Sequence, residues 1–130
     1  MTNHWHALCK ARDIVRTKNS LRVTIAGPHA ADDARTHTVE VEEVPDGIQL
    51  RALVTRLRGD LPIGDIALNA WTRNLSGSLC GFRIDARNHL VAEFWLPTIG
   101  LTAEEFLFAI RSVAREADRF EFELTGADRH

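Results

Sequence analysis

The chain has little of what would staple, anchor or strongly charge a small domain. It holds two cysteines, Cys9 and Cys80, with no CxxC spacing. That excludes a disulfide framework and argues for a reducing compartment. Its longest apolar stretch, around Leu90 to Leu101, is broken by Glu93 and Pro97, so nothing in it is long enough to cross a bilayer. Neither sign of charge dominates: 16 basic and 18 acidic residues leave a net charge of −2. No strong field argues for nucleic acid or an anionic membrane surface. The opening Met-Thr-Asn-His-Trp-His lacks the charged-then-apolar pattern of a signal peptide. P-loop, GxGxxG and GxSxG motifs are all absent. The expectation is a cytoplasmic protein with neither a membrane nor a nucleic-acid partner.

What is present is globular. The 130 residues, 45% apolar and 26% charged, suit a single domain spanning 1–130 with a core of its own. Trp5, Leu8, Ala11, Arg12 and Val15 share a stripe at helical spacing, which predicts a first helix over 4–16. Leu21, Val23 and Ile25 alternate with polar residues and predict a strand ending at Gly27-Pro28. Gly27 to Arg35 reads as a loop. Thr38 to Val44 and Ile48 to Leu57 are two further strands around a Pro45-Asp46-Gly47 turn, where Pro presets φ and Gly accepts positive φ. Matching the apolar faces pairs Val39 and Val41 with Ala52 and Leu50, and sets Glu40 opposite Arg51.

Pro62 opens a second helix whose stripe is Ile63, Ile66, Ala67, Ala70 and Trp71. A hairpin follows. Cys80, Phe82 and Ile84 must share a face with Leu90, Ala92 and Phe94, which demands an odd loop. Ala86-Arg87-Asn88 supplies one, with Asn88 left-handed. The register pairs Phe82 with Ala92, Cys80 with Phe94, Leu79 with Trp95, Arg83 with Val91, and Asp85 with His89. Thr102-Ala103-Glu104-Glu105 is a capping box that starts the last helix. Phe106, Ile110, Val113, Ala117 and Phe120 form its buried stripe, joined by Leu107 and Ala114.

The order α-β-β-β-α-β-β-α, with tight turns between neighbouring strands, predicts an α+β fold with a mostly antiparallel sheet of about five strands. One sheet face is apolar. The other carries Thr38, Glu40, Arg51, Leu53, Leu79, Arg83, Val91, Glu93 and Trp95. Apolar patches rimmed by polar groups mark interaction surfaces; the alternative is that one of the helices covers this one.

The run Leu68-Asn69-Ala70-Trp71-Thr72-Arg73-Asn74, then Gly81-Phe82-Arg83-Ile84-Asp85, Leu90-Val91-Ala92-Glu93-Phe94, and Ala117-Asp118-Arg119-Phe120 after a Thr cap resembles the YbjN domain. That family is similar in structure to class I type III secretion chaperones. The match is best over residues 48–122. At the hairpin turn this chain has Arg87-Asn88 where the family has an Asp-rich turn with Gly. The resemblance implies a non-enzymatic, often dimeric, protein-binding domain. The expected partner is therefore a protein or peptide, with a homodimer as the assembly. Leu53, Leu79, Arg83, Val91 and Trp95 are the expected partner or dimer residues.

No catalytic residue, metal or cofactor is expected. Cys80 and His89 fall on opposite faces and cannot form a nucleophile–base dyad. Asp85 and His89 face each other at the hairpin end, the one place for an alternative reading as a small ligand-binding domain or enzyme. Thr2-Asn3-His4 would offer a square-planar Cu(II) or Ni(II) set at a free amine. Arg51, Arg56, Arg58 and Arg73 would be the basic patch of a nucleic-acid-associated regulator.

Overall fold

The computed structural model describes residues 4–25, 35–57, 63–75 and 80–124. A short 3-10 turn (His4–Leu8) leads into four strands: β1 (Ile14–Thr17), β2 (Ser20–Ile25), β3 (Arg35–Val44) and β4 (Gly47–Arg56). Helix α1 (Ile63–Leu75), strands β5 (Gly81–Ile84) and β6 (His89–Pro97), and helix α2 (Ala103–Leu124) complete the chain. The strands form one antiparallel sheet in the order β1-β2-β3-β4-β6-β5. The α+β class and the antiparallel sheet are as the sequence predicts, with six strands rather than about five.

The sixth strand corrects the first predicted helix. Only His4–Leu8 is helical, and Ile14–Thr17 pairs with β2 through Ile14 opposite Val23 and Arg16 opposite Leu21. The apolar residues do fall at helical spacing, but Ile14, Val15 and Thr17 are β-branched and fit a pleated strand better. The Lys18-Asn19 turn, with Lys18 at φ 34°, closes that hairpin. Residues 26–34, most of the predicted loop, lie outside the described residues, as do Thr2-Asn3, Arg58, Pro62 and Leu79.

Both derived registers hold. Val39 faces Ala52, Val41 faces Leu50 and Glu40 faces Arg51; Phe82 faces Ala92 and Arg83 faces Val91. Cys80 stands just before β5 rather than paired with Phe94, and is still buried. Asn88 takes φ 61° in the three-residue turn. In the other turn the positive φ belongs to Asp46, at 64°, and not to Gly47. Val44 pairs with Gly47, so the connection is the two residues Pro45-Asp46.

Helix α2 supplies the core. Phe106, Ile110, Val113, Ala114, Ala117 and Phe120 are all fully buried against the inner face of β2, β3, β4 and β6. Trp5 meets Phe106, and Phe120 meets Phe82 edge-on at 5.1 Å between ring centres. The capping box forms as expected: Glu105 N–H donates to Thr102 Oγ1 (3.2 Å) and Thr102 N–H donates to Glu105 Oε1 (3.0 Å). Arg111 binds both oxygens of Asp13, and Arg35 both oxygens of Asp118, fixing the helix at two places.

Helix α1 sits at the β5 edge instead of over a sheet face. Asn74 reaches across and closes that edge. Its side-chain oxygen accepts from Phe82 N–H (2.8 Å) and its amide donates to Phe82 C=O (3.0 Å). The predicted stripe of this helix needs correction. Ile66 and Ala70 are buried, but Ala67 is exposed and Trp71 is 59% exposed. With only one short strand to pack on, α1 buries a narrower arc than a core helix would.

Packing should outweigh capping in this fold. Phe106→Ala is expected to cost about 3–5 kcal/mol and Thr102→Ala ~1 kcal/mol, measured as shifts in urea unfolding. Equal losses would place the helix's stability in its first turn instead of its stripe.

Candidate functional site

Among the described residues, no helix covers the outer face of the sheet. Its side chains lie in rows set by the register. Thr17, Ser20, Glu40, Arg51 and Glu93 follow one another across five strands. One step towards the β5–β6 turn, Leu53, Val91 and Arg83 form a parallel row. Glu40, Arg51, Leu53, Val91 and Arg83 of these rows line a shallow depression of ≈ 670 Å³ that extends to Arg56, Arg87 and His89.

Glu93 is the centre of the charge lattice. Arg83 donates to both its oxygens (2.7 and 2.9 Å) and Arg51 to one of them (2.7 Å). Burial pushes the Glu93 carboxyl up, but the hydrogen bonds from Arg83 and Arg51 outweigh it and hold the group below its ordinary value. Arg51 faces Glu40 in register, yet its guanidinium goes to Glu93 and to Glu42 at 3.8 Å.

The bulge in β4 shapes the depression's end. Leu53 pairs with Val91 and Thr55 with Leu90, so Val54 is the extra residue. Without it Arg56 would share the inner face with Val54; with it Arg56 sits beside His89 on the outer face. His37 fixes the bulge, its Nε2 lying 2.7 Å from Leu53 C=O. His37, Asp118 and Glu121 also bring ligand-type atoms within 4.8 Å of one another. Arg35 already occupies both Asp118 oxygens and Leu53 engages the imidazole, so this cluster is a tie between β3, β4 and α2.

The hairpin turn settles the role of Asp85. Its Oδ1 accepts from the backbone N–H groups of Arg87 and His89, both at 2.9 Å. These bonds, the one from His89 first, hold its carboxyl low. Asp85 is thus spent on organising the turn, and no hydrogen bond links its carboxylate to the His89 ring. The cysteines are equally removed from chemistry. Burial, helped by the charge of Glu116, pushes the Cys80 thiol up to about 12, and burial also raises Cys9. Neither presents a thiolate.

Of the sequence-predicted surface residues, Leu53, Arg83 and Val91 come together in the depression. Val91 is only 3% exposed, so it is floor and not rim. Trp95 stands roughly 13 Å further along β6, is 48% exposed, and lies over Gly47. A Cβ at Gly47 would collide with the indole, which is why glycine follows the turn there even though its φ is ordinary. Leu79 is outside the described residues. The proposed basic patch divides. Arg51 and Arg56 are on the outer face, but Arg73 lies over the Phe120 ring at 4.1 Å and pairs with Glu123. Arg87 is the member that pattern reading did not name, and the outward turn of Arg56 has no sequence signal because a bulge leaves no mark in hydrophobic periodicity.

The fold defines a class of architecture, the α+β sheet-and-helix fold seen in secretion-chaperone structures. The chain is similar to one in the heterodimeric ExoU–SpcU complex from the type III secretion system of Pseudomonas aeruginosa. That likeness has a TM-score of 0.64 and 17% identity, over 97% of this chain and 99% of that one. A chain of the HopA1–SchA chaperone–effector complex matches with a TM-score of 0.53 and 13% identity, over 90% and 86%. No family model and no curated protein sequence matches the chain.

Two outcomes follow from this geometry. Gly47→Ala is expected to displace the indole and cost about 1–3 kcal/mol in urea unfolding, but to cost little in a Trp95→Ala background. An undiminished cost there would put the strain in the backbone. The low Glu93 carboxyl contributes stability that is present above its ordinary 4.5 and lost as pH falls through the lower folded value. Glu93→Gln should therefore lower the urea midpoint at neutral pH and flatten its decline below about pH 5; parallel acid limbs would refute the assignment.

Proposed function

We propose that this chain is a non-enzymatic, chaperone-like domain that binds a peptide or partner protein on the outer face of its sheet. The observation that carries the reading is the open face itself: half-exposed Trp95 at one end, Leu53 over Val91 at the other, and the Arg51–Glu93–Arg83 lattice between them. Helix α2 packs on the inner face of β2, β3, β4 and β6, yet no described helix packs on these. Apolar anchors within a polar rim suit a partner that comes and goes. The likeness to chains from a secretion heterodimer and a chaperone–effector complex supports the same reading. The YbjN resemblance, over 48–122, belongs with it. Two buried cysteines suit the reducing cytoplasm.

A homodimer is part of the proposal, and α1 is the surface we assign to the second copy. Leu68, Trp71 and Leu75 are 60%, 59% and 65% exposed and follow one another along one side of the helix. Asn74 has already closed the β5 edge at Phe82, which disfavours a dimer made there by strand addition. A two-fold pairing of α1 helices would bury the stripe against itself.

Sedimentation equilibrium and partner capture separate the two surfaces. Wild type and Trp95→Asp are expected to sediment as dimers and Trp71→Asp as a monomer; a monomeric wild type removes the dimer. A protein recovered with wild type and identified by mass spectrometry should be lost with Trp95→Asp. Full retention by that variant would remove the outer face as the binding surface.

A further inference from the structure

The hairpin end of the outer face is basic, although the chain as a whole is slightly acidic at −2. Four arginines line the depression, Arg51, Arg56, Arg83 and Arg87, against two carboxylates, Glu40 and Asp85. Arg51 and Arg83 are committed to Glu93. Asp85 is committed to the turn backbone through Oδ1. Arg56 and Arg87 have no side-chain partner among the described residues, and they flank His89 at the hairpin end. Both are held there by specific backbone devices. The β4 bulge turns Arg56 outward, and the left-handed Asn88 turn, tied to β4 by Leu57 N–H donating to Asn88 C=O (2.8 Å), fixes the strand end beside Arg87. A solvated charge needs no such placement.

We propose that the segment seated on the outer face is an acidic peptide stretch, its carboxylates meeting Arg56, Arg87 and His89 while an apolar neighbour packs on Leu53. The inference rests on the outer face being the partner surface and adds the chemistry of the partner. Charge complementarity selects carboxylates over a basic segment, since Arg56 and Arg87 would repel lysine or arginine. Guanidinium forks match carboxylates in geometry as well as charge. The short apolar row beside them favours a polypeptide over a polyanion such as nucleic acid. The row offers Leu53 as a side-chain anchor and no aromatic stacking platform within the depression.

The test uses the full chain and three fluorescein-labelled probes followed by anisotropy: a short peptide alternating Glu and Leu, its counterpart with Gln for Glu, and an oligothymidylate. The Glu peptide should bind roughly tenfold tighter than the Gln peptide, the worth of two exposed ion pairs. Raised salt should erase the difference. The double variant Arg56→Gln/Arg87→Gln, checked for unchanged circular dichroism, should lose the preference for Glu while still binding the Gln peptide. Equal affinity for both peptides, with both weakened by Trp95→Asp, overturns the acidic partner and leaves the binding face standing. Absence of binding by either peptide overturns both readings. Tighter binding of the oligothymidylate than of the Glu peptide overturns the choice of polypeptide.

Discussion

The burial of one helix stripe against one sheet face is the constraint on which the rest of the molecule depends. Helix α2 has 22 residues and is about 33 Å long at the usual rise, enough to span β2, β3, β4 and β6. Six of its side chains are fully buried, and each large one contributes roughly 1.5–3 kcal/mol as an upper estimate. The Arg111–Asp13 and Arg35–Asp118 pairs add orientation more than energy, because their guanidiniums remain partly in water. Since α2 serves the inner face alone and α1 is held at the β5 edge by Asn74, no helix among the described residues is left for the outer face. The open outer face is thus a consequence of helix economy: the two described helices do not cover both sides of the sheet.

Much of this was legible because β-strands carry their face in their parity. Val39, Val41, Leu50 and Ala52 share a face only across a loop of even length, and Phe82, Leu90 and Ala92 only across one of odd length, so the turn residues then choose the register. The capping box at Thr102 and the apolar spacing behind it announced α2 without ambiguity. The failures have physical causes of the same kind. Residues 4–16 satisfied helical spacing by coincidence, and the β-branched Ile14, Val15 and Thr17 were outvoted by periodicity. Trp71 was assigned to a buried stripe because aromatic residues on amphipathic helices usually are buried, whereas α1 has only an edge strand beneath it. Gly47 was credited with a left-handed turn that Asp46 makes; its real office is to leave room for Trp95, a contact between residues 48 positions apart that no local pattern encodes. Leu53, Arg83 and Val91 do fall in one row, but the bulge at Val54, which decides where Arg56 points, depends on pairing with β6 and is invisible in β4 alone.

The outer face also shows why its exposure is stable instead of an unfinished core. Burying Arg51, Arg83 and Glu93 permanently under a third helix would desolvate three charges, a cost that ion pairing offsets only in part. Left half in water, the same three groups satisfy one another and cost little. Trp95 and Leu53 are then the apolar islands that such a lattice can tolerate singly, and they gain by burial only when something else brings its own polar groups to the rim. An apolar helix could not meet that requirement, because it would leave the charged row without acceptors or donors. An extended segment could, since alternate side chains point toward and away from the sheet, offering apolar contact at Leu53 and polar contact at the arginine row within a few residues. On the proposed reading the face would select a partner by pattern as well as by charge, and the selection would arise from the same period-two alternation that built the sheet.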